Sequence, residues 1–172
     1  MSGARYLIRR HAVVLALLVA SLAVSEQAKA ACDPTSPVSN TTVTCTGLSR
    51  NGNNGYGTAA DTGNTYNVLS SASVLGTDIG LTFSAGTVNN SGDILGGQAG
   101  ISAGTAATVN NSGSISGTGA NSVGIGATTA TVNNAGTISG GQTGINAGIA
   151  TVNNGGAILG PTSPASTPTP SI

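Results

Sequence analysis

From Ala31 onward the chain has no histidine, lysine, glutamate, methionine or tryptophan. Without His, Lys or Glu there is no ordinary general base near neutrality. Neither a Ser-His-Asp nor a Cys-His arrangement can be assembled. Two cysteines without a histidine are too few ligands for a zinc or other transition-metal site. The single basic residue of this stretch, Arg50, stands against Asp33, Asp61, Asp78 and Asp93. One cation cannot neutralise a phosphate backbone, which excludes nucleic acid as a partner. Aromatics are reduced to Tyr56, Tyr66 and Phe83, too few for a large aromatic core. No proline occurs between Pro37 and Pro161, so a ladder of backbone hydrogen bonds would lose no donor there. A 3.6-residue apolar rhythm is also missing, which argues against amphipathic helices. The expectation is a protein that is not an enzyme and has no catalytic, cofactor-binding or metal-ligating residues.

What is present begins with a leader. Arg5, Arg9 and Arg10 precede an apolar run from Ala12 to Val24, and Ala28-Lys29-Ala30 follows. Basic start, apolar middle and small residues at a cleavage position are the three marks of a secretory signal. The run falls short of the roughly 20 residues that span a bilayer, and no later segment is long and apolar enough to do so as a helix. Residues 1–30 are therefore expected to be a removable signal peptide. Cys32 and Cys45, an even pair just after an export signal, suggest a disulfide formed in an oxidising compartment. A loop that small stabilises by at most about 3 kcal/mol. A redox or lipid-attachment role lacks support, since there is no C-x-x-C and no lipoprotein signal directly before Cys32.

The repeat decides the fold class. Thr-Val-Asn-Asn occurs at Thr87–Asn90, Thr108–Asn111, Thr131–Asn134 and Thr151–Asn154, with starts 21, 23 and 20 residues apart. A degenerate copy, Thr65-Tyr66-Asn67, precedes them. An isoleucine follows each Val by six residues, pairing Val88 with Ile94, Val109 with Ile115, Val132 with Ile138 and Val152 with Ile158. A third apolar residue follows a glycine, at Gly80-Leu81, Gly100-Ile101, Gly124-Ile125 and Gly144-Ile145. Three short segments per period, each with one main apolar side chain and Gly/Ser/Asn/Thr corners, describe one coil of a parallel β-helix. Stacking puts each Val and Ile above its counterpart at the strand spacing of about 4.8 Å. The predicted fold is an all-β, right-handed parallel β-helix (β-solenoid) of about four to five short coils. The longer third period predicts a loop around Ser116–Val123 between strands. Val88, Val109, Val132 and Val152, with Ile94, Ile115, Ile138 and Ile158, form the predicted core column.

Asn90, Asn111, Asn134 and Asn154 occupy equivalent corners. Asn tolerates left-handed backbone and satisfies local backbone groups, and stacked Asn can form an amide ladder. The other reading is a row of surface amides that binds glycan or ice. Gly52–Gly57 is read as a corner or cap, because it lacks the Lys and the strand–loop–helix context of a nucleotide loop. Asp61, Asp78 and Asp93 are too widely spaced for a calcium loop. The organisation expected is a signal peptide (1–30), an N-terminal cap with a disulfide (31–64), β-helix repeats (65–160) and a Pro/Thr/Ser-rich tail (161–172).

The leader, the early Cys pair and the repeats, of the form Thr-Val-Asn-Asn-Ser-Gly-x-Ile-x-Gly-Gly-x-x-Gly-Ile, resemble passenger domains of bacterial autotransporters. The start Ala31-Cys32-Asp33-Pro34 and the stretch Thr42-Val43-Thr44-Cys45-Thr46-Gly47 are similar to the N-terminus of such passengers. The resemblance spans Ala31 to Pro161. It implies a right-handed β-helical passenger carried to the cell surface, acting in adhesion or biofilm formation on a host surface or glycan. Such proteins also carry a C-terminal β-barrel translocator, whose alternating strands and aromatic girdles do not follow Ile158. The chain is thus expected to be a truncated passenger or a short relative released by another route. Its destination is the cell surface or the medium if translocated, and otherwise the periplasm. An independent secreted ice- or glycan-binding solenoid is the alternative. A β-helical lyase is disfavoured by the missing acids and bases.

Overall fold

The computed structural model describes residues 32–161. The predicted signal peptide and the tail beyond Pro161 lie outside the described residues. Fourteen strands follow one another: β1 (Cys32–Asp33), β2 (Thr42–Cys45), β3 (Leu48–Ser49), β4 (Asn54–Tyr56), β5 (Thr62–Val68), β6 (Ser73–Leu75), β7 (Ile79–Asn90), β8 (Asp93–Gly96), β9 (Ala99–Asn111), β10 (Ser114–Gly117), β11 (Val123–Asn134), β12 (Thr137–Ser139), β13 (Thr143–Asn154) and β14 (Ala157–Leu159). There is no helix among the described residues, and so none long and apolar enough to cross a membrane.

Two sheets run the length of the molecule. One has the order β1-β2-β5-β7-β9-β11-β13, with β4 also on β7; the other has the order β3-β6-β8-β10-β12-β14. All pairs but β1–β2 are parallel, as they must be when each turn returns to lie on the one before. The six short strands of the second sheet count about six turns, where the sequence suggested four to five. The turn missed is the first: it keeps Val43 at the Val position but has Thr44-Cys45 where the repeats have Asn-Asn and Ser49 at the Ile position. Parallel pairing begins at Thr42, within the segment expected to be a cap.

The three expected segments per turn need one correction. The Gly-Leu/Ile segment and the next Thr-Val-Asn-Asn segment are continuous in β7, β9, β11 and β13. Register shifts at Phe83/Ala85 and Gly126/Thr129 mark where those long strands bend. A bulge inserts an unmatched residue and swings the strand without ending the ladder, so two faces share one strand. The extra residues of the third period, 118–122, form a loop between β10 and β11, as its length predicted.

The core is narrow and aliphatic. Val43, Tyr66, Val88, Val109, Val132 and Val152 stack in register. Ile94, Ile115, Ile138 and Ile158 form a second column, and Leu81, Ile101, Ile125 and Ile145 a third. Val88, Val109, Val132, Ile94, Ile115 and Ile138 are fully buried, each worth about 1.5–3 kcal/mol. Val152 and Ile158, on the last described turn, are 43% exposed and half-buried respectively. A glycine column makes the close stacking fit. A Cβ on Gly100 would lie 2.7 Å from Ile115 Cγ2, and one on Gly124 would lie 2.7 Å from Ile138 Cγ2. Those glycines precede the third apolar position because no side chain fits beneath the isoleucine column.

The N-terminal end is covered in part, with β3 left as the last strand of its sheet and Leu48 exposed on it. β1 lies antiparallel on β2, with Cys32 opposite Cys45 and the two joined as a disulfide. Tyr66 stacks on Phe83 at 5.1 Å and meets Tyr56 edge-on at 6.1 Å, so the few aromatics gather at this end. The Gly52–Gly57 stretch supplies β4, which completes the first turn against β7.

Candidate functional site

A strand with one face buried shows alternate residues to solvent. In each Thr-Val-Asn-Asn segment Val and the second Asn point inward, and Thr and the first Asn point outward. Stacking turns this into two outward columns. One is Thr42, Thr65, Thr87, Thr108, Thr131 and Thr151; the other is Thr44, Asn67, Asn89, Asn110, Asn133 and Asn153. The result is an uncharged face of hydroxyls, methyls and amides that crosses every turn. Its rows repeat at about 4.8 Å, and its columns stand about 6.7 Å apart.

The outward amides are tied to one another. Asn89 Nδ2 donates to Asn67 Oδ1, Asn110 Nδ2 to Asn89 Oδ1 and Asn133 Nδ2 to Asn110 Oδ1, each at 2.9 Å. A chain of side-chain bonds holds the row rigid and leaves each amide one further hydrogen for a ligand.

The second Asn of each tetrad makes the amide ladder and the local backbone bonds of the corner reading, but does so from within the stack. Asn90, Asn111 and Asn134 are buried, so they are not the surface amides of the alternative reading. Their backbone is not left-handed either, since Asn40 is the one non-glycine residue with positive φ among those described. They form an internal ladder: Asn90 Nδ2 donates to Asn111 Oδ1 (2.8 Å), Asn111 Nδ2 to Asn134 Oδ1 (2.7 Å) and Asn134 Nδ2 to Asn154 Oδ1 (2.7 Å). Each Nδ2 also donates to the carbonyl of the corner glycine two residues on, as from Asn111 to Gly113 (3.2 Å). Buried polar groups are tolerated when bonded, and here the ladder satisfies the corner carbonyls as well. The amide ladder was legible in the repeat; its burial, and the outward row beside it, were not.

The inner ladder has a flaw at its N-terminal end. Asn90 Oδ1 is buried and has no hydrogen-bond partner. The residue below it in register is Val68, which offers no donor. Val68→Asn would give Asn90 Oδ1 a donor, but it gives up a buried Val and sets the introduced amide oxygen against Cys45, which offers none; it is therefore expected to be less stable than the parent yet to lose less than Val68→Ala. Chemical denaturation checks this, with Val68→Ala as the comparison. A loss as large as that of Val68→Ala would show that the position does not accept an amide.

A second polar cluster lies near the N-terminal end. The buried Asp61 carboxylate accepts from Ser36 Oγ (2.8 Å), Thr58 Oγ1 (2.6 Å) and the Val38 N–H (3.3 Å). Asn64 Nδ2 donates to the Val38 carbonyl and to Tyr66 Oη, while Tyr56 Oη donates to the Pro34 carbonyl. Burial pushes the Tyr66 phenol up to about 12; the Asn64 bond opposes that and the Asp61 charge adds to it. Tyr56 is raised too, by burial first and then by the charges of Asp61, Tyr66 and Asp33. These groups fasten the segment 34–41, the start of the first turn, to residues 56–66 of the turn stacked on it. Asp78 and Asp93 are far from this cluster in the stack: Asp78 takes an exposed bond from Gln98, and Asp93 faces solvent on β8. Sequence reading noted Asp61 without assigning it this role. The local signal was Thr58, three residues before it.

No protein-family model, curated protein or solved structure matches the chain.

Proposed function

We propose that the protein is a non-enzymatic, exported β-solenoid: a passenger-like segment of an autotransporter or adhesin that contributes to cell-surface structure or adhesion. The observation that carries this reading is the outward Thr/Asn face, continuous over all six turns of a scaffold held by backbone ladders. A rigid, uncharged row of hydroxyls and amides suits repetitive polar surfaces such as glycans, and does little for a small charged substrate. The leader supports export through the inner membrane, with the cell surface or medium as the destination after translocation and the periplasm otherwise. The expected result is protease-accessible protein on intact cells of a strain expressing the full chain. Attachment of those cells to a glycan-coated surface should fall at least about fivefold when Thr87, Thr108 and Thr131 are replaced together by lysine. Protein confined to the periplasm would defeat the surface role, and attachment unchanged by the triple replacement would defeat the role of the Thr/Asn face.

The Thr column favours one second reading, ice binding by an independent secreted solenoid. Threonine arrays with methyl and hydroxyl at regular spacing order water, although here the neighbouring column is Asn. Thermal hysteresis of the purified protein, lost in the same triple variant, separates this reading from the first.

A further inference from the structure

Of the asparagines between Asn40 and Asn154, only Asn51, Asn54 and Asn154 are followed by glycine. An asparagine amide carbon is open to attack by the backbone nitrogen of the next residue, and a glycine there puts no Cβ in the way. The attack needs that nitrogen free of a hydrogen bond and a main chain free to turn toward the amide. The structure treats the three pairs differently. Asn154 is tied at both ends of its amide, with Oδ1 accepting from Asn134 Nδ2 (2.7 Å) and Nδ2 donating to the Gly156 carbonyl (3.1 Å). The Gly155 N–H that would attack it donates to the Asn134 carbonyl (2.8 Å). Gly55 is buried within β4, which pairs with β7, and a Cβ on it would lie 2.6 Å from the Gly80 carbonyl oxygen. Asn51 and Gly52, by contrast, are exposed in the turn that joins β3 to β4. That turn is closed by the bond from the Asn51 N–H to the Asn54 carbonyl (3.1 Å). Among the described residues neither the Asn51 side-chain amide nor the Gly52 N–H has a hydrogen-bond partner. Gly52 has a φ of 61°, and a Cβ there would meet nothing within 4 Å.

We propose that Asn51 is a self-modification site, which converts to an aspartyl or isoaspartyl residue without an enzyme. Solvent hydroxide takes the Gly52 N–H proton, and the freed nitrogen attacks Asn51 Cγ. The new C–N bond closes a cyclic imide, and the Cγ–Nδ2 bond breaks. Nδ2 leaves as ammonia, taking its proton from water and so restoring the hydroxide. Water then opens the imide. Cleavage at Cγ leaves an ordinary main chain with an aspartyl side chain. Cleavage at the Asn51 carbonyl carbon leaves the main chain running through Cγ, with the carboxylate on Cα. In sum one amide and one water give one carboxylate and one ammonium ion, and nothing is oxidised or reduced. The step uses no side-chain acid or base, so a stretch without His, Lys or Glu can carry it out. Either product adds a carboxylate to a stretch whose other charged side chains are Asp33, Asp61, Asp78, Asp93 and Arg50. Order protects the other two pairs, because each must open locally before it reacts.

The test is incubation of the full chain at mildly alkaline pH, followed by proteolysis and mass spectrometry of the peptides that carry Asn51, Asn54 and Asn154. In the folded protein Asn51 is expected to convert at least about tenfold faster than the other two, which pay for local opening first. Isoelectric focusing should show a matching acidic band that Asn51→Gln does not develop. In denaturant the three rates should converge, since each is then an unrestrained Asn-Gly pair. Equal rates in the folded protein overturn the inference, as does an Asn51 that stays intact while Asn54 or Asn154 converts. So does a lead for Asn51 that persists undiminished in denaturant, which would assign the rate to the neighbouring sequence and not to the exposed turn.

Discussion

Asn111→Ala is expected to cost about 3 kcal/mol, far more than a polar-to-alanine change at the surface. Asn111 is 3% exposed and sits in the middle of the inner ladder. Its loss removes the bond to Asn134 Oδ1 and leaves that acceptor buried without a donor. It strips the carbonyls of Gly113 and Thr137 of their side-chain donor. It also leaves Asn90 Nδ2 without one of its three acceptors and opens a cavity between packed turns. The measurement is chemical denaturation combined with amide exchange of β9 and β11, because a stacked solenoid can open locally before it unfolds. Asn111→Asp separates bonding from volume. An ionised carboxylate there accepts only, and it faces the Asn134 oxygen and two carbonyls. Its folded-state pKa must therefore rise above the unfolded value of about 3.9. The variant is then most stable below that pH and loses stability as pH rises through the folded value. A variant indifferent to pH, or an alanine variant within 0.5 kcal/mol or so of the parent, would mean that the ladder contributes nothing.

Gly113→Ala is expected to cost at least about 3 kcal/mol. A Cβ at Gly113 would stand 2.1 Å from the carbonyl oxygen of Gly92 in the turn below, and 2.7 Å from the Ser91 carbonyl carbon. Those atoms are backbone in a hydrogen-bonded ladder and cannot rotate away as a side-chain tip would. The same approach recurs at Gly136 and Gly156. Moving the turns apart to admit a methyl group would stretch the Ser114 N–H to Gly92 carbonyl bond (2.9 Å) and its neighbours. Gly104→Ala is the contrast, since its nearest atom lies 3.7 Å away. With no clash, that change should be neutral or stabilising by up to about 1 kcal/mol through the unfolded chain. Thermal or chemical unfolding of both variants decides the matter; equal midpoints would show that the corner does not depend on glycine.

Both predictions rest on features that sequence reading reached unequally. The Val and Ile columns were legible because the interior accepts one aliphatic residue per segment, and turn upon turn must repeat it. The Val88, Val109, Val132 and Val152 alignment follows directly from that need. The first turn hid because Thr44-Cys45 replaces the Asn pair and Ser49 the isoleucine, while Val43 still fills the column; the Tyr66 turn showed only as a degenerate copy. The third and first segments of adjoining turns look separate in sequence. A bulge, invisible in composition, lets one strand serve two faces. The two asparagines of each tetrad are chemically identical neighbours. Which one is buried depends only on the parity of the strand.

The sequence by itself determined that this is a parallel β-solenoid, that Cys32 and Cys45 were candidates to pair, and that the chain from Ala31 has almost no acid–base chemistry to offer. Period, composition and the missing residue types suffice for those conclusions, since they concern what every turn must share. Only the tertiary structure decided the number of turns, which asparagine faces inward and where Asp61 fastens the first turn. Each depends on register: one residue of slip turns every side chain to the opposite face, and nothing short of the assembled ladder specifies where the count begins.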